Sequence, residues 1–435
     1  MSSGTRPAPP RGEERDLAGW LRLIEGRQPG TIRLGLDRVR EVARRLGPVP
    51  DFPIITVGGT NGKGSTCAML EAVLDAAGFR VGCYTSPHLL AYNERVRVSR
   101  RPLDDGALCE SFAEVEAARG EVELTYFEFG TLAAVREFVR CRVDVAILEV
   151  GLGGRLDAVN VFDPDCAIVT SVGIDHVEYL GPTRESIGFE KAGIFRSGRP
   201  AVVADPDPPT TLLAHARAIG AGLRVAGSDF RAVAESGQWR YEGPGGMRAG
   251  LPHPALRGAY QLGNAAAVIC ALDILRDRLP VSSGALREGL LTVALPGRFQ
   301  VLPGRPVTVI DVAHNPHAAH CLAQALAAME ITGRTHAVFG MLRDKDMAGV
   351  VRALKSEVDH WHLAPLPGPR GASVEELQAA LDAATVLDEV SAHESVAAAI
   401  AAARAIAALD DRIIIFGSFL TVGEALSTRA LPTAD

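Results

Sequence analysis

Phe52-Pro53-Ile54-Ile55-Thr56-Val57 runs directly into Gly58-Gly59-Thr60-Asn61-Gly62-Lys63-Gly64-Ser65-Thr66, and a helical stretch over residues 65–77 follows, closed by Gly78. An apolar run of strand length, a glycine-rich turn and then a helix make up the setting that a phosphate-binding loop needs. Glycines in succession let backbone N–H groups turn inward, and the helix N-terminus adds a partial positive charge. Lys63 supplies a point charge for terminal phosphates, and the Ser65 hydroxyl stands where such loops reach Mg2+. The spacing is not the standard Walker pattern: Gly58 and Gly62 are separated by three residues, and Gly64 intervenes before the hydroxyl residue. The plainer reading is a tight strand–helix turn with an exposed lysine.

Working outward, residues 143–150 (VDVAILEV), 166–172 (CAIVTSV) and 201–203 (AVV) are further apolar runs of strand length. Near-continuous apolar strands separated by helices predict an α/β fold whose mostly parallel sheet is covered on both faces. Residues 227–255 are rich in Gly and Pro and alternate like short antiparallel strands, and a helix is expected over 264–278. After Pro296-Gly297 a second α/β cycle begins, with strands expected at 307–312, 336–340, 359–363 and 412–417. The sequence thus divides into a disordered extension (1–15), a first domain (16–296) and a second (297–435). Ligands in such sheets gather at strand C-termini, here in a cleft between the domains.

Composition narrows the function. The chain has 435 residues, is 47% hydrophobic and 22% charged, and carries a formal net charge of −7, which excludes a general nucleic-acid coat protein. Its seven cysteines include no CxxC pair, so neither a disulfide framework nor a structural zinc site is expected, and a reducing compartment fits. The N-terminus has no apolar run, and the greasiest helical stretch, 396–409, is too short to span a bilayer. A cytoplasmic protein that engages neither membrane nor nucleic acid is expected.

Other residues carry candidate chemistry. Glu149 ends an apolar strand and is followed by Gly151-Leu152-Gly153-Gly154-Arg155. A carboxylate there can hold a hard cation, or can simply pair with Arg155 on the surface. A dinucleotide fingerprint would need glycine at 156, where Leu156 stands. Asp175-His176 follows the next strand; His176 reads as a metal ligand or as an ordinary loop histidine. Lys191 reads first as a solvated helix lysine. In Asp311-Val312-Ala313-His314-Asn315-Pro316, the polar groups can face the first domain, while Asn315 also suits the N-cap of a helix starting at Pro316.

Taken together, these blocks closely resemble the folylpolyglutamate synthase/dihydrofolate synthase family, a branch of the Mur-ligase superfamily. The resemblance runs through GGTNGKGST (58–66), TSPHL (85–89), NERVRV (93–98), TYFEFGT (125–131), LEVGLGGRLDAVN (148–160) and GIDHVEYLGPTRESIGFEKAGIFR (173–196). It continues with PGRFQ (296–300), DVAHNPHAA (311–319), GMLRDKD (340–346) and FGSF (416–419). It implies a P-loop-containing Mur-ligase-like domain with a mostly parallel sheet, followed by a C-terminal Rossmann-like α/β glutamate-ligase domain. The implied activity is an ATP-dependent amide ligation of L-glutamate to dihydropteroate and to reduced folates, through an acyl phosphate. Phosphorylation turns a carboxylate oxygen into a leaving group, and phosphoryl transfer rests on positioning and charge neutralisation.

By motif, Thr60, Asn61, Gly62, Lys63, Gly64 and Ser65 cradle the ATP phosphates, and Asn264, Arg298 and Asp311 match nucleotide-binding positions. Ser65, Ser86, Glu149 and His176 match Mg2+ ligands, with two metal sites implied and a monovalent cation as a further candidate. Lys191 matches the lysine that is carbamylated in the family, which requires a locally lowered pKa. His314 is carried over as a residue near the acyl phosphate that positions glutamate. Thr125, Tyr126, Phe127 and Glu128 match the pterin-site segment of bifunctional members, with Gly26, Arg27, Gln28 and Leu156 as further substrate contacts. Val159 stands where the family usually has threonine, removing a hydroxyl from the substrate loop. The resemblance also implies a monomer. Alternatives are polyglutamylation alone, a peptidoglycan Mur ligase (only about fifty residues precede the first strand, short of the usual extra domain), or a regulatory P-loop switch. The last lacks an NKxD motif; the nearest string, Asn160-Val161-Phe162-Asp163, has no lysine.

Overall fold

The computed structural model describes residues 15–27, 32–47 and 50–428; Gln28 and nearly all of the N-terminal extension lie outside them. The glycine-rich turn lies at the heart of an eight-stranded sheet. Its strand order is Arg101–Pro102, Val96–Val98, Val81–Tyr84, Val145–Glu149, Ile54–Gly58, Cys166–Val169, Pro200–Val203, Gly222–Val225. The first two strands are antiparallel additions at one edge, and the remaining pairings are parallel. Ile54–Gly58 is central and buried along its whole length, which is why it reads as an unbroken apolar run. The helix Lys63–Ala76 leaves it, and its residues from Ser65 to Leu74 are all buried, among them residues packed with Tyr260–Ile274 and Ser283–Thr292.

Residues 231–251 form a three-stranded antiparallel sheet, Arg231–Glu235, Gln238–Gly243 and Gly246–Leu251, as the alternation predicts. A six-stranded sheet follows in the order Gln300–Leu302, Val307–Asp311, Arg412–Phe416, Thr335–Phe339, His360–Leu363, Glu389–Ala392, parallel except for its first strand. Among the described residues no helix is long and apolar enough to cross a membrane. The seven cysteines are free thiols.

Two expectations are corrected. The helix expected over 264–278 is Tyr260–Ile274, and the polar Gln261 that hid its first turn is buried, with its amide engaged inside the protein. Strands 81–84, 222–225 and 389–392 were not expected; the latter two are half-exposed edge strands of mixed polarity, without an apolar run.

Candidate functional site

The loop between Gly58 and Lys63 is lashed to the strand beside it. The Thr60 hydroxyl donates to the Gly173 carbonyl at 3.1 Å and accepts from the Gly173 N–H at 2.9 Å. The Asn61 N–H donates to Ser171 Oγ at 3.1 Å, and the Thr170 hydroxyl donates to the Asn61 carbonyl at 2.7 Å. Gly59 sits at φ 143°, where an added Cβ would lie 1.8 Å from Thr170 Oγ1. Gly62, at φ 88°, lets Asn264 approach so closely that a Cβ would meet its Oδ1 at 2.8 Å. Lys63 curls back over the loop, donating to the carbonyls of Gly59 and Thr60 at 3.1 and 3.2 Å. Ser65 Oγ accepts from Gln261 Nε2 at 3.2 Å, and Gln261 Oε1 accepts from Asn264 Nδ2 at 2.9 Å.

One cavity of about 1790 Å³ is lined by the whole loop from Gly59 to Ser65, by Ser86, Glu149, His176 and Lys191, and, from beyond the first sheet, by Asn264, Arg298, Asp311 and His314. The structure therefore brings the loop, metal and catalytic candidates together, although they are spread over more than half the sequence.

Burial governs the charges here. Glu149 accepts one N–H, from Ser86 at 3.1 Å, and burial pushes its carboxyl up against the pull of Lys63. Arg155 pairs instead with Glu190 at 2.8 Å, so the surface pairing considered for Glu149 does not form. Lys191 is 3% exposed rather than solvated; burial first, and then repulsion from Lys63, pushes its amine down to about 7. His176 is pushed down to about 4, mainly by burial, and so is His314. His314 Nδ1 lies 2.8 Å from the Val312 carbonyl, which can only accept; the ring proton is therefore on Nδ1 and the lone pair is on Nε2. Arg298 stacks on Phe419, 4.9 Å from the ring centroid, while Asp311 accepts the N–H groups of Phe299 and Ala313, both at 2.7 Å. Burial pushes the Asp311 carboxyl up, and Arg298 opposes it.

Three features escaped the sequence. Lys345 donates to Asp175 at 2.6 Å and lies 3.4 Å from His176 Nε2. Burial opposes the Asp175 charge, but His176 and Lys345 outweigh it and hold the carboxyl down at about 2. Asn315 caps its helix through Ala318 N at 2.9 Å, as expected; its exchange of amide hydrogen bonds with Asn61, at 3.1 and 3.0 Å, is the second, joining the two halves of the cleft. Gln261 is the third. Only the cap had a local signal.

The segment expected to contact substrate sits differently from the rest. Thr125 and Glu128 form a reciprocal helix cap, at 3.2 and 2.7 Å, and Glu128 also pairs with Arg38 at 2.9 Å. Phe127 packs beneath Gly151, and the Tyr126 ring supports Arg95, 5.5 Å away. Arg27 is paired with Glu116 at 2.7 Å. None of these four residues from 125–128, nor Gly26, Arg27 or Leu156, is among the residues lining the cavity; Glu25, His88, Arg95 and Leu152 line that end instead. Val159 is fully buried in the core, so its missing hydroxyl does not face the cavity.

Residues 57–272 match the Mur ligase middle domain, and residues 297–419 match the Mur ligase glutamate ligase domain. The chain is 47% identical over 411 residues to the dihydrofolate synthase/folylpolyglutamate synthase of Escherichia coli K12, covering 94% of each. It is similar to the solved structure of E. coli FolC in complex with DHPP and ADP, with a TM-score of 0.89 and 47% identity over 95% of this chain and 97% of that one. A bifunctional folylpolyglutamate synthase/dihydrofolate synthase with Mn, AMPPNP and L-glutamate bound matches with a TM-score of 0.87 and 45% identity, over 95% and 98% of the two chains. With this identity running nearly end to end, the chain belongs to the Mur ligase family and, within it, to the dihydrofolate synthase/folylpolyglutamate synthases.

Proposed function

We propose that this chain joins L-glutamate to dihydropteroate and to reduced folates at the expense of ATP. The carrying observation is the single cavity in which a phosphate loop, a buried carboxylate and a lysine near neutrality face an arginine and a histidine from the second sheet. The substrate carboxylate attacks the γ-phosphorus, and the bond to ADP breaks. The neutral glutamate amine then attacks the acyl carbon, the C–O bond to phosphate breaks, and the nitrogen gives up its extra proton to the departing phosphate. Lys63 and the helix N-terminus meet the charge that develops on the phosphates. Arg298, stacked on Phe419, and Asn264 hold the nucleotide. His314 offers its Nε2 lone pair to orient the glutamate amine.

A divalent cation fits the residues present: Glu149 is a buried carboxylate whose one N–H partner leaves its charge uncompensated, and Ser65 and Ser86 bring hydroxyls to the same cavity. We assign Mg2+ at two positions to Ser65, Ser86, Glu149 and His176. Bound there, it would screen the phosphate charges during transfer. Lys191 supports that site as a carbamate. Its neutral Nζ forms a bond to the carbon of CO2, one C=O pair moves onto oxygen, and a proton departs to water.

The test is phosphate release from Mg-ATP with L-glutamate, comparing dihydropteroate with tetrahydrofolate as acceptor. Turnover with both, abolished by Lys63→Ala, is expected. Turnover with tetrahydrofolate alone would remove the synthase half, and turnover with neither would refute the reading.

A further inference from the structure

A second cluster lies in the C-terminal sheet, at the end away from the ATP cavity. His336 is the second residue of strand Thr335–Phe339 and His360 the first of His360–Leu363, while the cavity is lined by residues beyond the opposite ends of those strands, including Leu342 and Lys345. His336 and His360 are register partners on adjacent parallel strands, and His362 shares a face with His360 by the two-residue period. All three rings are buried, at 2%, 7% and 1% exposure. Each can offer one ring nitrogen such that the three atoms lie within 4.8 Å of one another.

One contact in the cluster matches a shared cation as well as it does a hydrogen bond. His336 Nδ1 and His362 Nε2 are 3.4 Å apart, at the long limit for a hydrogen bond between two rings. A tetrahedral zinc with Zn–N bonds of about 2.0–2.1 Å holds neighbouring nitrogens about 3.4 Å apart. The outward nitrogens are already partnered. His336 Nε2 faces Asp411 Oδ2 at 3.3 Å, and His362 Nδ1 faces His393 Nε2 at 3.1 Å. A carboxylate behind a ligating imidazole is the usual support for such a metal site. His360 bonds Ser391 Oγ through Nε2 at 2.8 Å, whereas its buried Nδ1 has no aligned partner; Glu389 Oε2 lies 3.2 Å away but off the hydrogen-bond direction.

We propose that His336, His360 and His362 form a binding site for a borderline divalent cation of the zinc class, separate from the ligase cavity. Three imidazoles favour Zn2+ or Co2+ over Mg2+, which prefers oxygen ligands, so the two sites take different ions. The His360 and His362 rings stack with centroids 4.2 Å apart at 17°, so metal binding requires His360 to rotate out of that stack and turn a ring nitrogen toward the other two. The ion would staple adjacent strands of the C-terminal sheet and leave the chemistry at the other end untouched.

The test titrates the full-length protein with Zn2+ in excess Mg2+, against a chromophoric chelator. One saturable equivalent is expected, weakened at least tenfold by His360→Gln and lost in His360→Gln/His362→Gln, with a zinc-dependent rise in Tm in the native protein alone. Co2+ added to the native protein reports the ligands without any substitution, and a tetrahedral nitrogen-ligand spectrum is expected. No saturable binding, thiolate charge-transfer bands, or equal affinity in the double variant would each overturn the site.

Discussion

Lys191→Ala removes an amine that the cavity has pushed from an ordinary 10.5 down to about 7. At pH 7 an ordinary lysine is uncharged in about one molecule in three thousand, whereas at a pKa of about 7 the share is about half. The nucleophilic amine available to CO2 is thereby raised on the order of a thousandfold, and charging that amine in place is disfavoured by roughly 5 kcal/mol. The sign for stability follows: between about 7 and 10.5 the unfolded chain binds the extra proton, so the uncarbamylated protein gains stability as pH rises through that window and loses it as pH falls. The assay is 13C NMR with labelled bicarbonate. A carbamate signal should grow from pH 6 to pH 8 with a midpoint near 7, and should be absent from Lys191→Ala. Turnover of that variant should fall about 10–100-fold, the range for losing a group that supports a metal site, and should partly recover with added formate or acetate. Full turnover in the unrescued variant would sink the reasoning. So would native turnover that ignores CO2 removal and shows no carbamate at pH 8.

Asn315→Ala removes both a helix cap and a cross-cleft amide pair; about 1 kcal/mol of stability from the cap alone and a raised KM for ATP are expected, and an unchanged melt with unchanged KM would refute the coupling. Gly59→Ala drives a Cβ into Thr170 at a backbone angle that only glycine adopts freely, so a loss of more than about 3 kcal/mol is expected in denaturant unfolding. His176 and His314 both stay neutral down to about 4, against an ordinary 6.5. Between those values the unfolded state binds more protons, so stability should decline as pH falls from 6.5 toward 4, by up to about 1.4 kcal/mol per pH unit for each ring. His176→Gln should flatten that slope in melts taken across the range.

Ile54–Gly58 and Arg412–Phe416 are buried on both faces and were readable as unbroken apolar runs, whereas Val81–Tyr84, equally buried, has only four residues with a glycine among them and was missed. The edges Gly222–Val225 and Glu389–Ala392 carried no such run because half their surface faces water. The glycine-rich loop was legible as one local segment whose glycines have local geometric reasons. The Lys191 environment was not: its burial arises where residues distant in sequence converge, and only the family resemblance singled it out. Lys345 and the Asn61–Asn315 pair fall in the same class. The segment 125–128 shows the converse. Its Thr-x-x-Glu spacing is a legible capping box, and both of those polar side chains are engaged in the cap.

Asn61 and Asn315 stand 254 positions apart, yet each donates an amide N–H to the other. Descent acts on such a pair as on one character. A lineage that changes either residue alone leaves a half-buried amide without its counterpart, so the two positions should drift together or stay put. Swapping in a C-terminal domain from a distant relative should then fail at this joint first, and should be repaired by importing that relative's residue at position 61.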